Sequence, residues 1–211
     1  MVTAFANSSE VLDVVTPDVK HAVYHSKLVF IDLNDAPLTL GGSALAQVFD
    51  QIGDSCPSVD LGLLQRAFRM IQALIKQQLI LAGHDRSDGG VITTLLEMCF
   101  AGDCGADITI PEGVDWKEYL FNEGLGWVIE VDEALCEALV RSFHDSGIPA
   151  VVLGTTTPKR HVTVRQGECV LLDEETLPLR EEWERTSYEL ELMTYNKTYV
   201  EMVSVCVTCE A

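Results

Sequence analysis

Basic residues are scarce in this chain. Fourteen Lys and Arg stand against 33 Asp and Glu, a net charge of −19 over 211 residues. With an isoelectric point near 4.4, the chain lacks the positive surface that nucleic acid or an anionic membrane requires, so neither is expected as a partner. Any phosphate ligand must instead be held by backbone N–H groups or through a bridging cation. Long apolar runs are also missing: no stretch approaches the 18 or so residues that a membrane span needs. The first fifteen residues contain neither a basic stretch nor a long hydrophobic one, so no signal peptide is read there. Seven cysteines, an odd number at positions 56, 99, 104, 136, 169, 206 and 209, do not form a secreted disulfide framework. A reducing, cytoplasmic setting is the expectation. Disorder is excluded by composition, with 47% hydrophobic residues, 22% charged residues and a mean hydropathy of +0.17.

What is present is a mixture of helical and strand periodicities. Leu28–Ile31 reads as a buried strand, and Leu45, Val48, Phe49 and Ile52 give residues 44–52 one apolar face. A second helix is expected over about 60–81, with Leu64, Phe68, Ile71, Leu74 and Ile75 as its stripe, and a third through Val91, Leu95 and Met98. Strands are expected at 106–110, 126–131, 150–153, 162–164 and 170–172. Asp132 should cap a helix ending at Gly147, and a charged helix should span about 177–193. The pattern predicts an α/β domain, a sheet covered by helices, with both parallel and antiparallel neighbours. No repeat or low-complexity linker interrupts it.

The most informative string is His84–Asp85–Arg86–Ser87–Asp88–Gly89–Gly90, set between two expected helices. Two glycines allow close backbone approach, and a helix N-terminus offers free N–H groups to phosphate. Asp85 or Asp88 can supply an oxygen to Mg²⁺, and Ser87 a hydrogen bond to the same ligand. On these residues alone, a turn between helices with ordinary caps, its charge neutralised by Arg86, accounts for the string at least as well. Gly41–Gly42–Ser43 ahead of a helix is a second anion-binding candidate, and equally an N-cap. Asn122 and Glu123 either face a ligand or simply end a helix at Gly124. Gly102–Asp103–Cys104–Gly105 resembles a nucleophile elbow with its second glycine displaced, so Cys104 is expected to be a buried structural thiol. Cys206 and Cys209 lack the second ligand pair that structural zinc needs, and His21 and His25 are too isolated to bind metal. The acidic run Asp173–Glu175 is expected to be a solvated turn.

Taken together, Leu40–Val48, His84–Gly90, Ala101–Gly105 and Leu120–Glu123 resemble, in order and spacing, phosphoribosylformylglycinamidine synthase of purine biosynthesis. Trp183–Glu184–Arg185–Thr186–Ser187 is similar to the W-x-x-T-[ST] near the end of the same region. That family carries two copies of a unit shared with aminoimidazole ribonucleotide synthetase, followed by a glutaminase domain. The resemblance places this chain in the C-terminal half of the second copy. It implies a three-layer α/β/α domain with a mixed sheet over residues 28–193, an N-terminal extension or linker over 1–27, and a divergent tail over 194–211. It further implies an ATP-, Mg²⁺- and glutamine-dependent ligase that converts formylglycinamide ribonucleotide to the amidine. Asp85 then corresponds to a Mg²⁺ ligand, Ser87 to an ATP or ADP contact, and Gly42 and Ser43 to a phosphate loop; no residue of this chain is assigned a catalytic role. The expected partners are the preceding half-unit and the glutaminase domain, both outside this sequence, and the chain alone is expected to be inactive. The alternative is a stand-alone nucleotide-binding regulatory module with the same fold.

Overall fold

The computed structural model describes residues 10, 13–20, 25–34, 37–53 and 55–202. His21, Cys206 and Cys209 lie outside them. In chain order the elements are β1 (Ser26–Asp32), α1 (Ala44–Val48), α2 (Leu61–Lys76), β2 (Ala82–Asp85), α3 (Gly90–Ala101), β3 (Gly105–Thr109) and α4 (Trp116–Phe121). There follow β4 (Gly126–Asp132), α5 (Glu133–Asp145), β5 (Ala150–Thr157), β6 (His161–Gln166), β7 (Cys169–Glu175) and α6 (Thr176–Thr194).

The strands form one sheet in the order β2-β4-β1-β5-β3-β6-β7. Only β3 and β6 run parallel; every other neighbouring pair is antiparallel. The unbroken apolar run in β1 reflects its place inside the sheet, where both faces must be apolar. Leu28 and Phe30 point into a core shared with α3 and α4, while Val29 and Ile31 point into one shared with α2 and α5. Helices therefore cover both faces, giving the three-layer α/β/α arrangement expected. The α2–α5 layer covers only part of the sheet, leaving Asp107, Thr109 and Arg165 exposed.

Three expectations are corrected. Helix α1 stops at Val48 rather than running to 52, because the backbone turns left-handed at Asp50 and Gly53. Val48, Phe49 and Ile52 are consequently exposed. Helix α2 ends at Lys76, ahead of a left-handed Gln78. It buries Leu63, Ala67, Ile71 and Leu74, a stripe rotated so that Phe68 is left 53% exposed. Finally, the expected turn between helices begins with a strand: Ala82–Asp85 pairs with β4 along Glu130–Trp127.

Packed residues also extend past the expected boundaries at 28 and 193. Gly83 N donates to Thr16 O, Val19 is only 4% exposed, and the buried Glu130 carboxylate accepts from Lys20 N and the Ser26 hydroxyl. Val200, beyond α6, is buried as well. Among the described residues no helix is long and apolar enough to cross a membrane.

Candidate functional site at the end of the sheet

Antiparallel pairing sets Asp32 opposite Gly126 and Asp85 opposite Trp127, so the ends of β1 and β2 flank the start of β4. The loops that carry the sequence motifs meet at this end of the sheet.

Asn122 and Glu123, which follow α4, hold the loops together. The fully buried Asn122 accepts at Oδ1 from Asn34 Nδ2 (2.8 Å) and Gly124 N (2.9 Å), and donates from Nδ2 to Thr39 O (2.7 Å). Glu123 Oε1 accepts from Gly89 N at 2.7 Å and from Ala44 N at 2.8 Å. One carboxylate oxygen thus joins the starts of α1 and α3, the two places where phosphate-binding loops were anticipated.

Those N–H groups are therefore engaged. At the first loop, Gly42 N donates to Ile52 O and Ser43 N to Leu40 O. Ser43 Oγ donates to Leu40 O and accepts from Ala46 N, and the residue is buried. Gly42 and Ser43 act as the cap and frame of a five-residue helix, with their polar groups spent inside the loop. Gly41 is needed because a Cβ there would lie 2.0 Å from Ser55 O.

The second loop has a similar logic. Gly89 and Gly90 both have positive φ, at 84° and 76°. A Cβ on Gly90 would sit 2.5 Å from Leu120 O, so this glycine serves the contact between α3 and the end of α4. Gly90 N is taken by Ser87 O.

Arg86 departs most from expectation. It neutralises a carboxylate from a buried position, 3% exposed, and that carboxylate is Asp32 and not one within the string. Its Nη2 donates to Asp32 Oδ1 (2.9 Å) and Leu125 O (2.8 Å), its Nε to Gly124 O, and its guanidinium lies 4.9 Å from the centre of the Phe30 ring. Burial lowers its pKa, and Asp32 opposes that shift. Nothing local in the sequence marked Asp32 or Tyr119 as its neighbours, since each lies more than 30 residues from Arg86. Among the described residues, three buried side-chain polar atoms have no hydrogen-bond partner: Arg86 Nη1, Tyr119 Oη and Thr39 Oγ1. Burial, with the nearby Asp32 charge, pushes Tyr119 up to about 12.

Asp85 has 66% of its side chain open to solvent, and Ser87 and Asp88 of the same motif are exposed as well. Ser87 Oγ donates to Asp85 Oδ2 at 2.6 Å, the main reason the Asp85 pKa lies below the usual carboxylate value, with His84 adding to the effect. It is therefore an ionised, accessible, hard oxygen donor of the kind Mg²⁺ takes. Among the described residues no three His, Cys, Asp or Glu side chains are grouped to hold a metal. Asp85 thus offers such an ion a single carboxylate, not a preformed cluster of ligands. Cys104 is fully buried, and the neighbouring Cys99 thiol together with burial pushes its pKa far upward, which makes it inert.

Residues 25–167, about two thirds of the chain, match the family described as AIR synthase related protein, C-terminal domain. Phosphoribosylformylglycinamidine synthase of Homo sapiens is 39% identical over 196 residues, covering 90% of this chain and 15% of that protein. The probable chloroplastic/mitochondrial phosphoribosylformylglycinamidine synthase of Arabidopsis thaliana is 37% identical over 204 residues, covering 96% and 14%. This chain thus spans about one seventh of the length of these relatives. PurL of Thermotoga maritima complexed with FGAR has the same fold, with a TM-score of 0.65 at 14% identity over 79% of this chain and 29% of that one. PurL complexed with ATP gives a TM-score of 0.60 at 13% identity over 78% and 27%. By the extent of the family match, and by a three-layer fold shared with PurL, the chain belongs to the AIR synthase related C-terminal domain family.

Proposed function

We propose that this chain is part of a phosphoribosylformylglycinamidine synthase, the C-terminal half of its second synthetase-like unit, and that it lends Asp85 to a Mg²⁺–nucleotide site. The observation that carries the reading is Asp85 itself, a carboxylate kept ionised by Ser87 and exposed at the end of the sheet. Relatives named for this synthase, and PurL structures complexed with ATP and ADP, support the nucleotide.

The whole enzyme would use ATP and glutamine nitrogen to turn formylglycinamide ribonucleotide into its amidine, in the cytoplasm. The preceding half-unit and a glutaminase domain would be partners within that polypeptide, and this part alone would be inactive. A Mg²⁺ held here would supply positive charge to offset the negative charge of a nucleotide phosphate. Of this chain's residues, Asp85 would hold the cation, and Ser87 would orient Asp85 and lie beside the nucleotide. Glu123 fixes the spacing of the loops on either side. Gly42 and Ser43 shape the first loop rather than contact phosphate, since their N–H and hydroxyl groups are engaged.

Asp85→Asn in the full-length protein should lower Mg²⁺-dependent ADP retention by about tenfold or more, because a metal-bound charge is lost. Equilibrium dialysis with and without EDTA reads this directly. Retention equal to the parent protein in both conditions would remove Asp85 from the metal site.

A further inference from the structure

Strand β2, which ends in Asp85, stands at the edge of the sheet, and among the described residues β4 is its only neighbouring strand. Its four residues have little intrinsic tendency to stay extended. The open edge of such a strand is weak unless another segment covers it. Residues 13–20 provide that cover. Val15 packs against the core shared with α2 and α5, whereas Val19, 4% exposed, belongs to the core shared with α3 and α4. Between them, Thr16 O accepts from Gly83 N of β2 at 3.0 Å. The chain thus passes round the edge of the sheet from one face to the other, and bonds to β2 as it crosses.

Both ends of this strap are fastened. On the α3 side, a Cβ at Gly102 would lie 2.7 Å from Val19 N, so the close approach needs glycine. One residue on, Lys20 N donates to Glu130 Oε2 at 2.8 Å, and Ser26 Oγ donates to Oε1 of the same buried carboxylate at 2.5 Å. Glu130 lies on β4 in register with Ala82 of β2, so the anchor sits directly beside the strand. On the α2 side, Val15 lines an open cleft of about 440 Å³ together with Gly83 and Asp85. A Cβ at Gly83 would meet Val15 Cγ1 at 3.1 Å, which leaves no room for a larger side chain while the strap is seated.

We infer that residues 13–20 are a positioning strap, which closes the outer edge of β2 and so holds the strand that presents Asp85 to a divalent cation. Val15 and Thr16 act on the carboxylate through the backbone of Gly83, two residues away. The inference rests on the Mg²⁺–nucleotide reading of Asp85. It assigns a role to a segment that lies ahead of residue 25, where the family match begins. Contacts that hold a metal-binding side chain from behind typically change metal affinity by about 10- to 100-fold when removed.

Gly83→Val drives a wedge against Val15 without removing any group that bonds to the Asp85 carboxylate, and adding Val15→Ala makes room again. Val19→Ala loosens the far anchor with β2 unaltered, and keeps the test decisive if the wedge alone melts the protein. Hydrogen exchange of the β2 amides is measured in the full-length protein for these variants and for Asp85→Asn. ADP binding is measured alongside by calorimetry, with Mg²⁺ and with EDTA. Gly83→Val should speed β2 exchange and weaken Mg²⁺-dependent binding about tenfold, with EDTA binding unchanged. Val15→Ala should restore both, and Val19→Ala should shift both in the direction of the wedge. If β2 exchange responds to neither the wedge nor Val19→Ala, or if Val15→Ala restores nothing, the strap does not hold β2 and the inference is wrong. If exchange responds as expected while only Asp85→Asn abolishes the Mg²⁺ dependence, the positioning role is wrong and the metal reading stands. If Asp85→Asn itself has no effect, the metal reading is wrong and the positioning role falls with it.

Discussion

At the scale of single residues, the end of the sheet is organised by polar groups that are buried and almost completely paired. Asn122 satisfies three neighbours and Glu123 two, and Arg86 ties two carbonyls and a carboxylate to one guanidinium. Tyr119 is one exception, beside Arg86 Nη1 and Thr39 Oγ1: its hydroxyl is buried without a partner, while its ring meets Phe30 edge-on at 6.2 Å. A buried, unpaired hydroxyl costs about 1–3 kcal/mol of desolvation. Tyr119→Phe keeps the ring contact and removes that cost, so urea unfolding should show it about 1 kcal/mol more stable than the parent. The same hydroxyl makes a prediction in alkali. Its pKa is raised from 10.0 to about 12, so the folded state holds the proton that the unfolded state releases first. The contribution is complete below pH 10 and is lost as pH rises toward 12. The stability of Tyr119→Phe should therefore fall less over that window, and its absorbance at 295 nm should lack the latest-titrating tyrosine.

At the scale of elements, Glu123 does what neither helix start does for itself. Helix α3 begins at a left-handed glycine with no side-chain cap, and the Ser43 cap of α1 takes Ala46 N and leaves Ala44 N to Glu123. One carboxylate oxygen compensates for both. Glu123→Ala should free the two amides it binds, so hydrogen exchange at Ala44 and Gly89 should accelerate while amides of β1 keep their protection. Unchanged exchange at both amides would mean the loops are held by their internal bonds alone. Strand β2 shows why this region was read as a turn. Four residues containing a glycine, a histidine and an aspartate carry no strand periodicity, and pairing with β4 rather than intrinsic preference makes them a strand. The long alternating or apolar runs, β1, β4 and β6, needed no such help.

At the scale of the whole molecule, the second helical layer is incomplete and apolar side chains remain exposed beside the candidate site. Val48, Phe49, Ile52, Leu61 and Phe68 all sit on the segments around α1 and α2. Exposed apolar patches of this kind mark surfaces that meet other protein, which accords with a chain spanning only 14–16% of its relatives. An immunoblot of native extract with an antibody to this chain should show a band several times larger than 23.2 kDa. A native band at that mass would instead favour the stand-alone regulatory module.

The weight on the His84–Gly90 string came from the family resemblance, while the α/β class, most of the helices and the burial of Cys104 were legible in the residues themselves. These follow from periodicity, capping chemistry and local composition, all of which act over a few residues. Tertiary structure decided what the string does. It buried Arg86 against Asp32, 54 positions away, and joined the Gly89 and Ala44 amides through Glu123, 34 and 79 positions away. It also bonded the Gly42 N–H and the Ser43 hydroxyl within their own loop and left Asp85 exposed. The physical reason is that a buried donor or acceptor must be paired, and its partner is whatever the fold brings within about 3 Å, regardless of distance along the chain.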